Sequence, residues 1–165
     1  MIDSPTLNLI ILALVTLQRL GELLLSNRNT RRLLAKGATE HSPAHYPLIV
    51  VLHLLWLAAL WWLAPARPVD TFWLGFFVAI EIFRIWVLAT LGPRWTTRII
   101  ILPGAPLVRR GPYRFVNHPN YLVVVLEIAV LPLVFGLWQV AVVFSLLNAA
   151  VLSIRIRAEN RALGR

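Results

Sequence analysis

Residues 121–154 read YLVVVLEIAVLPLVFGLWQVAVVFSLLNAAVLSI, 34 positions with a single charge, Glu127, and with Pro132 and Gly136 near the middle. One helix of that length would rise about 51 Å, too long for a hydrocarbon layer of about 30 Å. Two shorter apolar helices folded back at Pro132–Gly136 fit it instead, as a hairpin. The whole chain agrees with this reading. Its 165 residues are 59% hydrophobic and 14% charged, with a mean hydropathy of +0.74, a composition that excludes an ordinary water-soluble domain.

Working outward, the same pattern recurs three times upstream. Apolar runs extend over about 5–25, 47–64 and 71–91, and the hairpin supplies two more at about 119–135 and 138–154. The expectation is all-α: a polytopic membrane protein of five transmembrane helices, one domain over 1–165, whose C-terminal helical hairpin encloses a cytosol-facing cofactor pocket. Asp3, Ser4 and Pro5 give the first helix a start signature. MIDSPT has no basic region and no small-residue cleavage pattern follows it, so Met1 is expected to be retained. The absence of cysteine excludes disulfides, thiolate nucleophiles and Cys-ligated metal, and no metal site is expected.

A net charge of +9 suggests nucleic acid until its distribution is read. Thirteen of the 16 Lys and Arg lie in three segments: Arg28 to Lys36, Arg94 to Arg114, and Arg155 to Arg165. With five spans these share one side. The positive-inside rule puts the N-terminus out and the C-terminus in the cytoplasm, consistent with a bacterial inner membrane.

Six polar residues fall within the inner half of the spans: Arg19, Glu22, His53, Glu81, Arg84 and Glu127. Such groups are costly in hydrocarbon unless paired or wetted. Arg19 with Glu22, and Glu81 with Arg84, have the i, i+3 spacing of local ion pairs; lining a water-accessible cavity is compatible with that. His53 reads as an interhelical hydrogen-bond donor, and Glu127 and His53 are both open as bases.

The stretch from Gly92 to Asn117, 26 residues, is longer than most connections. Thr97–Leu102 (TRIIIL) is rich in β-branched residues and is expected to pair with Leu107–Arg110 around Pro103-Gly104-Ala105-Pro106. Asn117 or His118 is expected to cap the next helix, with Pro119 in its first turn. A helix N-terminus bearing His118 and Tyr121, preceded by Arg109, Arg110 and Arg114, suits a carboxylate or phosphate. The hairpin brings the end of the last helix beside this start, so His118 and Glu159 are expected to be neighbours.

The run Leu107–Tyr121, LVRRGPYRFVNHPNY, followed by Arg157-Ala158-Glu159-Asn160, resembles the isoprenylcysteine carboxyl methyltransferase family. That family's usual motifs are Gly-Pro-Tyr, Arg-His-Pro-x-Tyr and Arg-x-Glu-Glu. Asn117 and Asn160 stand where it commonly has Arg and a second Glu. With RLGEL at Arg19–Leu23 and RWTTRI at Arg94–Ile99, the chain is similar to a short bacterial branch associated with alkylpyrone and alkylresorcinol O-methylation.

The resemblance implies a membrane-embedded S-adenosylmethionine-dependent methyltransferase acting on an oxygen, hydroxyl or carboxylate, of a lipophilic acceptor that arrives from the bilayer. It implies Tyr113, His118, Pro119, Tyr121, Glu159 and Asn160 as cofactor-binding residues. Arg157 and Glu159 are the expected catalytic pair, Glu159 near the methyl sulfonium and Arg157 steering the acceptor oxygen. The competing readings are a small membrane transporter or scaffold without catalysis, and an NADPH-dependent membrane reductase.

Overall fold

The computed structural model describes residues 5–162. Asp3, Ser4 and Arg165, and with them the expected start cap, lie outside these. The described chain is all-helical in architecture, with α1 (Pro5–Leu34), α2 (Tyr46–Leu63), α3 (Thr71–Leu91), α4 (Pro119–Val134) and α5 (Trp138–Ala162) joined by short 3₁₀ turns and one small β-ladder. α4 packs between α3 and α5, and α5 also packs on α2.

Four of these helices are long and apolar enough to cross a bilayer, and less than a third of each candidate span is buried within the protein. Their outer faces carry Leu24, Trp62, Phe72 and Ile85, each well over half exposed. Such a surface is stable against acyl chains, not water. α4 is shorter, at 16 residues, a rise of about 24 Å. The reason is local: Pro132 cannot extend the helical ladder, and Gly136 takes the left-handed turn at φ 66°.

Two ends of the bundle are distinguishable by what ties them. At one end Asn8, fully buried on α1, donates from Nδ2 to the carbonyls of Ala64 (2.8 Å), Pro65 (3.2 Å) and Arg67 (2.6 Å) in the α2–α3 turn. Beside it the Asp70 amide donates to the Val134 carbonyl of the α4–α5 turn at 2.8 Å, while the Asp70 carboxylate caps α3 at Phe72 and Trp73. At the other end Asn29 donates to the carbonyls of Gly92 and Trp95 (3.2 and 2.8 Å), and the Thr97 carbonyl accepts from Arg155. The three basic segments therefore share one end.

α1 continues beyond the apolar run that ends near Leu25, to Leu34, and there Ser26 and Asn29 find partners on the 92–97 loop (Ser26 with Thr97 at 2.7 Å). One expectation is corrected here. Ile100–Ile101 pairs antiparallel not with Leu107–Arg110 but with Thr39–Glu40. The loop after α1 reaches the β-branched segment first, and Leu107 and Val108 are left to line a cavity.

The intramembrane charges form one cluster. Glu127 on α4, fully buried, accepts from both Arg19 (α1) and Arg84 (α3). Arg84 Nη1 also donates to both Glu22 oxygens, at 2.8 and 2.7 Å, and Gln18 Nε2 donates to Glu81 at 2.6 Å. The local pairs exist (Arg19–Glu22 3.0 Å, Arg84–Glu81 3.8 Å), but the stronger links run between helices. His53 departs from expectation: Nδ1 bonds the Ile49 carbonyl of its own helix at 2.7 Å.

Candidate active site

The Gly111-Pro112-Tyr113-Arg114 turn sits against α3, and its glycine is a packing requirement. Gly111 has φ +55°, and a Cβ there would lie 2.6 Å from Thr90 Oγ1 and 3.3 Å from Trp86 Nε1. Gly111→Ala is expected to destabilise the protein by about 2 kcal/mol, from the contact and the left-handed backbone together. Thermal unfolding in detergent reads this. Thr90→Ala in the same chain should recover the part due to contact and leave the backbone part.

Beyond this turn a cavity of about 680 Å³ opens between the 94–109 loop, the Tyr113–Arg114 turn, the start of α4 and the end of α5. His118 occupies the N-cap position of α4, yet its side chain caps nothing. Its ring is spent elsewhere: Nε2 lies 3.0 Å from Asn160 Oδ1, Nδ1 lies 3.7 Å from Glu159 Oε2, and the ring stacks on Tyr121 with centroids 5.3 Å apart. The expected cap is thereby replaced by a tether between α4 and α5. Pro119 follows at the first helical position, where no backbone donor is lost.

Tyr121 is the centre of the arrangement. Its hydroxyl donates to Glu159 and accepts from Arg155 Nε at 3.1 Å, while Arg155 also donates to the Thr97 carbonyl. Arg155 is buried and Glu159 half-buried. Nearby, burial and the Glu159 carboxylate push the Tyr113 hydroxyl above the usual phenol range, so it stays protonated at any physiological pH.

Tyr113, His118, Tyr121 and Glu159 all line the cavity; Pro119, Asn160 and Arg157 do not. Asn160 stands behind His118 and holds its ring. Arg157 is exposed: two positions along a helix turn about 200°, so it cannot share a face with both Arg155 and the cavity. Arg155, one helical turn before Glu159, lines the wall instead. The i, i+4 spacing of Arg155 and Glu159 carried that signal in the sequence. Trp95 and Asn120, whose side chains meet at 3.3 Å, line it too and carried none.

Arg109 and Arg114 also face this cavity; Arg98 pairs with Glu40 at 3.2 Å, and Arg94 donates to the Pro106 carbonyl at 2.6 Å. A second cavity, about 250 Å³ and mostly apolar, lies between α1, α2, α4 and α5 and shares Trp95, Asn120, Tyr121 and Arg155 with the first. Among the described residues no group of His, Asp and Glu could hold a metal.

This geometry sits inside a region with relatives. Residues 73–165 match the family model described as the isoprenylcysteine carboxyl methyltransferase (ICMT) family. The chain belongs to that family, one of membrane methyltransferases. It is 37% identical over 159 residues to the uncharacterized protein YpbQ of Bacillus subtilis (strain 168), covering 93% of this chain and 95% of that one. It is 29% identical over 153 residues to an uncharacterized protein of Haemophilus influenzae (strain ATCC 51907 / DSM 11121 / KW20 / Rd), covering 88% of each. No solved structure matches it significantly.

Proposed function

We propose that the protein is an S-adenosylmethionine-dependent O-methyltransferase for a lipophilic acceptor, with the cofactor in the larger cavity and the acceptor in the smaller. The observation that carries this reading is the shared wall: a cavity about half polar and one mostly apolar meet at Trp95, Asn120, Tyr121 and Arg155. A transfer between a charged nucleotide and a lipid needs two such compartments in contact.

The residues present fit the cofactor. A volume of about 680 Å³ lies within the range of small-molecule sites, about 300–1,000 Å³. Glu159 suits an ammonium or sulfonium, the aromatic faces of Trp95 and Tyr121 suit a cation, and Arg109, which has no side-chain partner among the described residues, suits the carboxylate. When bound, the cofactor supplies a methyl group on a positively charged sulfur. His118, Tyr121 and Arg155 hold Glu159 in place, so the carboxylate is preorganised before any ligand arrives.

The acceptor cavity opens sideways. Leu20 and Leu54 on its rim are 53% and 61% exposed on the lipid-facing surface, so an acyl or prenyl chain can remain in the bilayer while its polar head reaches the shared wall. The steering role expected of Arg157 falls to Arg155, which lines both cavities.

The test of the cofactor class is calorimetric titration of the detergent-purified protein with S-adenosylhomocysteine. Saturable binding supports the reading; no heat from a folded sample sinks it. In this reading the polar cavity faces the cytoplasm of a bacterial inner membrane, with the N-terminus outside. The chain has no cysteine, so Arg67→Cys and Ala105→Cys can each be probed singly with an impermeant maleimide on intact cells. Labelling is expected at 67 and not at 105; the reverse pattern would invert the orientation.

A further inference from the structure

The arginines of the loop before α4 turn different ways. Arg109 lines the larger cavity, whereas Arg110 does not: its Nη2 donates to the Thr90 carbonyl, at 3.4 Å, in the last turn of α3. Arg114 stands at the cavity rim, with its guanidinium carbon 6.0 Å from the centre of the Phe115 ring. Among the described residues, neither Arg110 nor Arg114 is paired with a carboxylate. The sequence from Leu107 to Asn120 holds no acid to match them, so positive charge is left open at this corner of the bundle.

The same corner exposes apolar side chains. Phe115 is 76% exposed and Val116 42%, directly after the Gly111–Arg114 turn, and Trp86 on α3 is 51% exposed. The Trp86 indole nitrogen reaches that turn, 3.3 Å from where a Cβ on Gly111 would stand, and unlike those of Trp61 and Trp95 it donates to no described residue. Trp86 lies five residues before the end of α3 and Phe115 four before the start of α4, the level at which a span meets the headgroups. A tryptophan there keeps its ring among acyl chains and its N–H toward polar groups.

The two halves of the corner call for one ligand. A soluble anion would satisfy the arginines and leave Phe115 and Val116 in water; a plain hydrocarbon surface would cover those two and leave the arginines unmatched. A phospholipid does both, with phosphate oxygens for the guanidinium donors and acyl chains for the apolar groups. A zwitterionic headgroup brings a cation of its own against the arginines, so a net negative headgroup is favoured.

We propose that the corner formed by the end of α3, the Gly111–Arg114 turn and Phe115–Val116 is a binding site for an anionic phospholipid. Arg110 and Arg114 hold its phosphate, the Trp86 indole N–H stands beside them, and Phe115 and Val116 lie among its chains. The lipid is a resident of the surrounding membrane and not a reactant. The turn it holds carries Tyr113, which bounds the larger cavity, so the lipid steadies one wall of that cavity from the membrane side.

The test is native mass spectrometry of the full-length protein in detergent, titrated with palmitoyl-oleoyl phosphatidylglycerol or with the phosphatidylcholine of the same chains. Wild-type protein is expected to take up the phosphatidylglycerol at least about tenfold more tightly. Arg110→Gln combined with Arg114→Gln should weaken that binding about 30-fold, equivalent to about 2 kcal/mol. Arg110→Lys combined with Arg114→Lys keeps the charge and should retain most of the affinity, which separates lost charge from a lost fold. Arg31→Gln combined with Arg32→Gln removes the same charge from exposed positions at the same end, on α1, and should change binding by less than about threefold. Phe115→Ser should weaken both lipids, and millimolar glycerol phosphate should displace neither. Equal affinity for the two lipids, equal losses in the two glutamine pairs, or a lysine pair as weak as its glutamine counterpart would overturn the site. An unaffected Phe115→Ser variant, or displacement by glycerol phosphate, would assign the arginines to a soluble phosphate ester and overturn the lipid as its source.

Discussion

Glu159→Gln is expected to weaken S-adenosylhomocysteine binding by about 100-fold, equivalent to roughly 2.7 kcal/mol, without altering membrane insertion or thermal stability to a comparable degree. The carboxylate is half-buried, accepts the Tyr121 hydroxyl and lies beside the His118 ring. Glutamine keeps an oxygen for Tyr121 but removes the charge that the ammonium of S-adenosylhomocysteine would meet. A truncated charge partner in such a site costs about 2–5 kcal/mol. Arg157→Gln is the internal control: the side chain is exposed and outside the cavity wall, so its effect should stay within about threefold. If the two variants bind equally well, the polar cavity is not the cofactor site.

The second large effect concerns the fold. Glu127→Ala strips the shared partner from two guanidinium groups, one of them, Arg84, only 2% exposed. Breaking a buried pair by removing one member costs about 3–5 kcal/mol, a large share of a domain's total stability. The variant is expected to insert but to aggregate on extraction, read by size-exclusion chromatography in detergent. Arg84→Met combined with Glu127→Met removes an arginine and a carboxylate together and leaves Arg19 with Glu22 at 3.0 Å. That double variant should recover most of the monodisperse protein. A single variant as well behaved as the double would show that the cluster is not balanced in the way its contacts suggest.

These two sites were unequally legible in the sequence. The spans were visible because hydropathy over about twenty residues is a property of the chain itself, and the hairpin at Pro132–Gly136 because proline and glycine restrict the backbone locally. The nearness of His118 and Glu159 followed from that hairpin alone. Spacing could suggest Arg19–Glu22 and Glu81–Arg84, which lie on single helices, but not Glu127 as the group joining α1, α3 and α4. That depends on how the helices rotate against each other. The pairing of Ile100–Ile101 with Thr39–Glu40 was hidden for the same reason, since strand partners sixty residues apart leave no local mark. Arg155 and Arg157 were both in view; only the face that α5 turns toward the cavity distinguishes them.

The clamp at Asn8 has a consequence for the lipid around the protein. One amide donates to three turn carbonyls, of which that of Ala64 also accepts the Arg67 amide, so the α2–α3 turn needs less water than an open turn would. α2 has 18 residues and α4 has 16, giving hydrophobic lengths of about 27 and 24 Å against an average core of about 30 Å. Each of these two helices is shorter than that average, while α1, α3 and α5 reach or exceed it. A thinner membrane suits the short pair better than a thick one, so acyl-chain length becomes a variable of the protein's stability alongside sequence.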